Sequence, residues 1–131
     1  PADYFETINS SVFSVETAYL QFKNVAAGSD ESRGLYEKSA ADAKHVLDMI
    51  KGMPPCEDND ALRQSAVEYV SAFVDFYENE CPSCLKKFEG DAHMQDSLFL
   101  LAPANFSEKN AAYKDNLKEF AKEFDLYVSG F

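Results

Sequence analysis

The motif with the most chemical content is Cys81-Pro82-Ser83-Cys84, in which two thiols stand three residues apart. On one helical turn this spacing keeps the two Cα atoms within the separation that a disulfide permits. If Pro82 begins a new helical segment, the sulfur of Cys81 lies at its positive end, which favours the thiolate. We therefore expect Cys81 and Cys84 to be close enough to form a disulfide, and an oxidised pair would indicate an oxidising compartment.

Thiol-redox catalysis is the enzymatic alternative for this motif. The thioredoxin type places its cysteines after a strand, at the start of a helix within an α/β sheet. Here the motif follows a long predicted helix, and the chain has no convincing strand. Cys56, the remaining one of three cysteines, precedes that helix. Because the helix separates it from Cys81 by about 30 Å, we expect Cys56 to be an unpaired thiol.

A soft-metal site is the second alternative, because Cys81, Cys84, His93 and Met94 are ligand types that suit copper or zinc. The spacing Cys-x2-Cys-x8-His lacks a fourth firm ligand, and Met94 is a poor ligand for zinc. A lone His beside Met in a loop is more typical of a polar surface. We therefore expect neither a bound metal nor another cofactor.

The sequence lacks residues that other kinds of catalytic or cofactor site require. A di-iron bundle needs two Glu-x-x-His pairs, and the chain has only Asp42-x-x-His45. Covalent haem attachment requires His directly after the second cysteine, where Leu85 stands. The chain has neither a Gly-rich phosphate loop nor a Gly-x-Ser-x-Gly motif. The residue types thus favour a protein that is not an enzyme.

Composition and charge restrict the class of partner. The chain of 131 residues is 46% hydrophobic, and its formal net charge is −11. This acidity disfavours nucleic acid and anionic lipid surfaces as partners. No apolar stretch approaches the roughly 20 residues that span a bilayer. Because the sequence begins with Pro1 rather than Met, we expect a processed or trimmed form.

The elements that must position these residues are four segments with apolar residues at steps of three and four, the spacing of amphipathic helices. They run from Phe5 to Ala26, from Tyr36 to Ile50, from Leu62 to about Glu80, and from near Ser107 to Phe131. Pro82 interrupts the third segment, which predicts a kink or a restarted helix beyond it. The connection to the fourth helix is longer and is expected to be partly helical.

Short breaks at Gly28-Ser29-Asp30 and Gly52-Met53-Pro54-Pro55 join the first three helices. Short links between amphipathic helices predict an all-α, antiparallel, up-down-up-down four-helix bundle, formed as a single domain over residues 1–131. The expected core includes Ile8, Val15, Phe22, Leu47, Ile50, Phe73, Phe76, Leu117, Phe120 and Phe124.

A run of apolar residues, Leu98-Phe99-Leu100-Leu101, lies in the connection before the fourth helix. Four consecutive side chains cannot all face inward from one short helix, since successive side chains are about 100° apart. We expect Phe99 and Leu100 to cover the end of the bundle, with at least one of Leu98 and Leu101 facing outward. The run is therefore a candidate surface for a protein partner or a small apolar ligand.

The middle third of the chain combines helix punctuation with core residues. These residues are Ile50-Lys51-Gly52-Met53-Pro54-Pro55, then Asp60-Ala61-Leu62-Arg63, then Tyr69 and Phe76-Tyr77-Glu78-Asn79-Glu80. In this pattern the chain resembles a family of small bacterial surface or lipoprotein-like helical bundles of unknown function. The resemblance carries no catalytic motif and does not include Cys81-Pro82-Ser83-Cys84. It implies a cell-envelope setting, in the periplasm or at the cell surface.

We therefore expect a non-enzymatic binding or interaction module of the bacterial cell envelope. It would act as a monomer or homodimer on a protein or a small apolar ligand that the sequence does not identify. The alternative is a thiol-redox or soft-metal-binding protein that uses Cys81 and Cys84. Replacing both cysteines by Ser distinguishes the two hypotheses, because a binding module needs no free thiol.

Overall fold

The computed structural model describes residues 1–24, 30–80 and 103–126. These ranges form four α-helices and contain no β-strand, so the chain is the all-α four-helix bundle that its periodicity predicts. The helices are α1 (Ala2–Lys23), α2 (Asp30–Lys51), α3 (Ala61–Asp75) and α4 (Pro103–Glu123), and a π-helical turn at Phe76–Glu80 extends α3.

Hydrogen bonds at both ends of the bundle show that α2 and α3 are antiparallel. Near the start of α2, the hydroxyl of Tyr36 donates to the carbonyl of Tyr77, beyond the end of α3, at 2.6 Å. At the opposite end, Arg63 in the first turn of α3 donates to the carbonyl of Lys51, at 3.3 Å. The polarity of this pair is as predicted.

Helix α4 runs antiparallel to both α1 and α3. The ring of Phe106, near its start, contacts Tyr19 near the end of α1, at a centroid distance of 5.2 Å. The ring of Phe120, near its end, stacks on Phe5 at the start of α1, at 5.9 Å. Lys109 also lies 3.8 Å from Glu68 of α3. Helix α3 therefore packs against the other three helices and forms the centre of the bundle.

The core consists of the apolar residues that recur at steps of three and four along each helix, which are called the apolar stripes below. Every predicted core residue is buried except Phe124, which is half-buried near the end of α4. Two small polar residues, Ser39 and Ser65, are buried with the apolar ones, and the hydroxyl of Ser65 donates to the carbonyl of Leu62 within α3 at 3.0 Å. Such a local bond satisfies the buried hydroxyl without a partner from another helix.

The helix boundaries differ from prediction at α1, which ends at Lys23 rather than near Ala26, and at both ends of α4, which stops at Glu123 instead of continuing to Phe131. Helix α4 begins at Pro103, about one turn before Ser107. Pro is favoured in the first turn of a helix because its missing N–H needs no partner there and its φ is already helical. The third helix does continue to Glu80, as predicted, although its last turn widens from α to π. The expected break at Pro82 and the partly helical connection lie outside the described residues.

The link between α2 and α3 contains a tight turn at Cys56–Asn59. The amide of Asn59 donates to the carbonyl of Cys56 at 2.8 Å, and the amide of Cys56 donates to the carbonyl of Asn59 at 3.0 Å. Between them, Glu57 and Asp58 have φ of 47° and 72°, in the left-handed region. The turn therefore takes the backbone conformation that two-residue hairpin turns require, although neither central residue is Gly or Asn.

Candidate functional site

A cleft of about 280 Å³ opens between α1, α3 and α4, at the end of the bundle where α3 passes into its π-helical turn. Four aromatic side chains line its inner part: Tyr19, Tyr69, Phe73 and Phe106. Its outer part is lined by Glu16, Leu20, Lys23, Ser107 and Asn110. The cleft is thus apolar at depth and mixed in polarity at its edge, which is the usual character of a small-molecule site.

The aromatic part of the cleft is held by ring contacts between three helices. Phe73 of α3 and Phe106 of α4 stack with their centroids 4.5 Å apart. The ring of Tyr19 on α1 meets both edge-on, at 5.4 Å from Phe73 and 5.2 Å from Phe106. Stacked and edge-to-face pairs add stability beyond the burial of apolar area. These three rings therefore form a fixed surface at the cleft.

The edge of the cleft follows one face of α1. Glu16, Leu20 and Lys23 stand at steps of four and three, so all three side chains lie along this face. Leu20 is 55% exposed, which is unusual for a large apolar residue beside an aromatic cluster. The other large apolar side chain with high exposure in the described part of the chain is Phe13, two turns before Leu20 on the same face of α1, at 67%.

Glu16 is half-buried, and its carboxylate is held in place by α3. The hydroxyl of Tyr69 donates to Oε2 of Glu16 at 2.8 Å. No Lys or Arg of the described helices lies within ion-pair distance of this carboxylate. Burial, and next the hydrogen bond to Glu16, raise the pKa of Tyr69 far above its ordinary value. The phenol of Tyr69 therefore stays a neutral hydrogen-bond donor to Glu16.

Tyr113 supports the same region from α4. Its hydroxyl donates to Oδ1 of Asn9 at 3.1 Å, and its ring stacks on Tyr69 at a centroid distance of 5.8 Å. Burial, followed by the charge of Glu16, raises the pKa of Tyr113 as well. The ring of Tyr113 therefore packs against the phenol that donates to Glu16.

Asn110 contributes a second acceptor at the cleft. Its side-chain oxygen is shielded from solvent and accepts no hydrogen bond from the described residues. Most buried polar atoms in folded proteins have a partner, so such an oxygen calls for an explanation. The cleft therefore has two side-chain acceptors, Glu16 and Asn110, and of these only Glu16 receives a hydrogen bond from the described residues.

A second, shallower groove lies on the outer face between α3 and α4, with a volume of about 390 Å³. Glu68 and Lys109, which line it, form an ion pair at 3.8 Å with each other. Val67, Ser71 and Asp75 complete most of its surface, and no aromatic side chain belongs to it. Because Glu68 and Lys109 are paired with each other and no aromatic ring offers a contact surface, this groove is the weaker candidate.

The residues that the sequence singled out for chemistry are placed only in part. Cys81, Cys84, His93 and Met94 lie outside the described residues, and so does the apolar run Leu98-Phe99-Leu100-Leu101. Predictions of a disulfide, a metal site or a partner surface at these positions therefore remain predictions.

The remaining chemical candidates are in the described helices and links. Cys56 is half-buried in the turn before α3 and carries a free thiol. Asp42 and His45 are exposed on α2. Within the described ranges, no three His, Cys, Asp or Glu side chains gather closely enough to hold a metal ion.

The sequence did not predict the cleft, although part of it leaves a trace. Tyr19 and Phe73 belong to predicted apolar stripes, and their periodicity indicated burial in the core rather than a cleft surface. Glu16 lies between Val15 and Tyr19, beside the stripe of α1. A carboxylate at the border of a stripe, one turn before a Leu on the polar side, is the signal that could have drawn attention to this face.

Comparison of the chain with protein-family models, with curated proteins and with solved structures finds no significant match. Of the helices described above, none is both long enough and apolar enough to cross a lipid bilayer. The site must therefore be interpreted from its own geometry.

Proposed function

We propose that this protein is a non-enzymatic binding module that holds a small, largely apolar ligand in the cleft between α1, α3 and α4. The observation that carries the proposal is the set of rings of Tyr19, Phe73 and Phe106, fixed against one another at the inner end of an open cleft. Aromatic rings offer a large contact area at little entropic cost, because they are already immobilised.

The polar edge of the cleft suits recognition. Glu16, whose carboxylate is oriented by Tyr69, can fix the direction of a bound molecule, while Leu20 covers its apolar part. A few oriented polar groups around an apolar surface are what confer specificity on small-molecule sites. At about 280 Å³, the cleft fits a molecule the size of one aromatic ring with a short side chain.

We further propose that the module works in the bacterial cell envelope. Support for this setting comes from the resemblance of residues 50–55, 60–63, 69 and 76–80 to the small bacterial surface or lipoprotein-like helical bundles. Fractionation of the native cells, with detection by an antibody, tests it directly. Recovery in the periplasmic or surface fraction supports the proposal, and recovery with ribosomal and cytoplasmic markers contradicts it.

The binding proposal is tested by titration with 2-phenylethanol, a neutral molecule with one ring and a short polar chain, followed by amide chemical shifts. We expect saturable shifts in α1, α3 and α4 around the cleft. The variant Ser107→Trp places a large side chain at the cleft edge and should abolish them. Ala112→Trp, a similar increase in size at an exposed position of α4 away from the cleft, is the matched control.

Shifts that persist in Ser107→Trp, or that are lost equally in Ala112→Trp, would place the binding elsewhere or make it non-specific. The double variant Cys81→Ser/Cys84→Ser separates the proposal from the thiol-dependent alternative. A binding module should keep its affinity for 2-phenylethanol in this variant, whereas a loss of binding would favour the alternative.

A further inference from the structure

The charge at the cleft indicates the chemical class of its ligand. Glu16 is half-buried, has no Lys or Arg of the described helices within ion-pair distance, and accepts one hydrogen bond, from Tyr69. A carboxylate has about four positions at which it can accept a bond, so most of its capacity remains available. A partly buried carboxylate in this state attracts a cation more strongly than an exposed one does.

Asn110 adds to the same preference. Its oxygen accepts no bond from the described residues, and the residue lines the cleft together with Glu16. An acceptor without a donor is satisfied by a ligand that brings N–H groups. A primary ammonium supplies three such donors and one positive charge, so it can serve a carboxylate and an amide oxygen at once.

The rings and the overall charge act in the same direction. Cations are attracted to the faces of Tyr and Phe rings, and Tyr19, Tyr69, Phe73 and Phe106 all line the cleft. The formal net charge of −11 surrounds the molecule with a potential that concentrates cations. Lys23 is the opposing charge, but it is exposed and lies about 10 Å from Glu16 along the axis of α1.

The geometry points to a primary-ammonium ligand, a small molecule whose protonated amine binds at Glu16 and Asn110 while its aromatic or alkyl body lies on the rings of Tyr19, Phe73 and Phe106. This inference rests on the proposed function, because it names the class of ligand for the same cleft. It goes beyond that proposal by requiring the positive charge, which apolar contact alone does not.

Three probes of nearly equal shape test the inference: 2-phenylethylammonium, neutral 2-phenylethanol and anionic 3-phenylpropionate. Each is titrated at neutral pH against the whole chain, and affinity is measured from the amide shifts of cleft residues. We expect the ammonium to bind about tenfold more tightly than the alcohol, and the anion more weakly than either. The preference for the ammonium should decrease with added salt, because part of it is electrostatic.

Glu16→Gln is the decisive variant. The amide oxygen of Gln can still accept from Tyr69, so the cleft keeps its shape while the charge is removed. The affinity for the ammonium should fall about tenfold, so that the preference for the ammonium over the alcohol disappears. Glu6→Gln removes an equal charge from an exposed position of the same helix and should leave the tenfold preference intact. Lys23→Ala, which leaves Glu16 in place, should increase that preference.

Equal binding of ammonium and alcohol by the wild type would overturn the inference while leaving the proposed function intact. A preference that survives in Glu16→Gln, or that disappears equally in Glu6→Gln, would also overturn it. Tightest binding of 3-phenylpropionate would assign the cleft to Lys23 rather than to Glu16. Absence of cleft shifts with all three probes would refute the proposed function itself.

Discussion

At the scale of single residues, a charged side chain contributes more to stability where neighbouring side chains hold it in place by hydrogen bonds. Asp60 precedes α3, and its carboxylate accepts from Nη2 of Arg63 at 2.8 Å and from the amide of Gln64 at 2.9 Å. The hydrogen bond from Arg63 is the main reason why the pKa of Asp60 lies below its ordinary value. A pair of similar sequence spacing, Asp30 and Arg33, is far more exposed and lies at 3.4 Å.

This difference predicts distinct effects of removing each carboxylate. Asp60→Asn should lower the free energy of unfolding by about 0.5–1 kcal/mol at neutral pH, whereas Asp30→Asn should have a smaller effect, because its side chain is fully exposed. Because the folded-state pKa of Asp60 is lowered, its contribution is complete above the unfolded-state value. It should disappear as the pH falls from about 5 through the folded-state pKa.

Urea denaturation of both variants and the wild type across acidic and neutral pH measures these contributions. Equal costs for Asp60→Asn and Asp30→Asn, or a cost for Asp60→Asn that grows as the pH falls, would contradict this account of the pair.

At the scale of elements, the two central residues of the turn at Cys56–Asn59 have an unfavourable backbone conformation. Glu57 and Asp58 both have positive φ, which side chains with a Cβ adopt at a cost. Asn-Gly is the pair that this kind of turn prefers. The double substitution Glu57→Asn/Asp58→Gly should therefore raise the free energy of unfolding, by roughly 1 kcal/mol, without altering the helices.

Thermal denaturation followed by circular dichroism measures this gain, and Gly34→Asn serves as the contrasting substitution. Gly34 lies inside α2 with open space around it, and Asn suits a helix interior only moderately better than Gly, so this substitution should raise the free energy of unfolding by less than the turn variant does. A double variant that is less stable than the wild type would mean that the two carboxylates, rather than the backbone, determine the stability of the turn.

The elements also show what the sequence could predict. Periodicity at steps of three and four predicted all four helices and nearly the whole core, because burial on one face determines which positions are apolar. The start of the fourth helix was predicted less well: the apolar periodicity placed it near Ser107, whereas α4 begins at Pro103. The left-handed turn carries no Gly signature, so its conformation is imposed by the need to bring α3 back along α2.

At the scale of the whole molecule, aromatic clusters occupy the two ends of the bundle. Tyr19, Phe73 and Phe106 pack together at one end, and Phe5 and Phe120 at the other. The cleft depends on how three helices cross at the first of these ends. A sequence pattern reports each helix separately, and for this reason it indicated the rings but not the opening between them.

The separation of the clusters predicts which substitutions interact. Phe73→Leu and Phe120→Leu should each cost about 1–1.5 kcal/mol, and the costs should add within about 0.5 kcal/mol, since the sites are roughly 20 Å apart. Phe73 and Phe106 are stacked, so the double variant Phe73→Leu/Phe106→Leu should depart from additivity. Chemical denaturation of the singles and doubles checks this. Additivity for the stacked pair together with strong coupling for the distant pair would contradict the arrangement.

The most direct test of the central claim, that the cleft is the binding site, is the measurement of intermolecular nuclear Overhauser effects with saturating 2-phenylethanol. The ring protons of the bound molecule should give effects to the side chains of Tyr19, Phe73 and Phe106, together with Leu20 at the edge. Effects confined to Val67 and Ala72 in the outer groove between α3 and α4, or to Phe13 on the exposed face of α1, would contradict the claim.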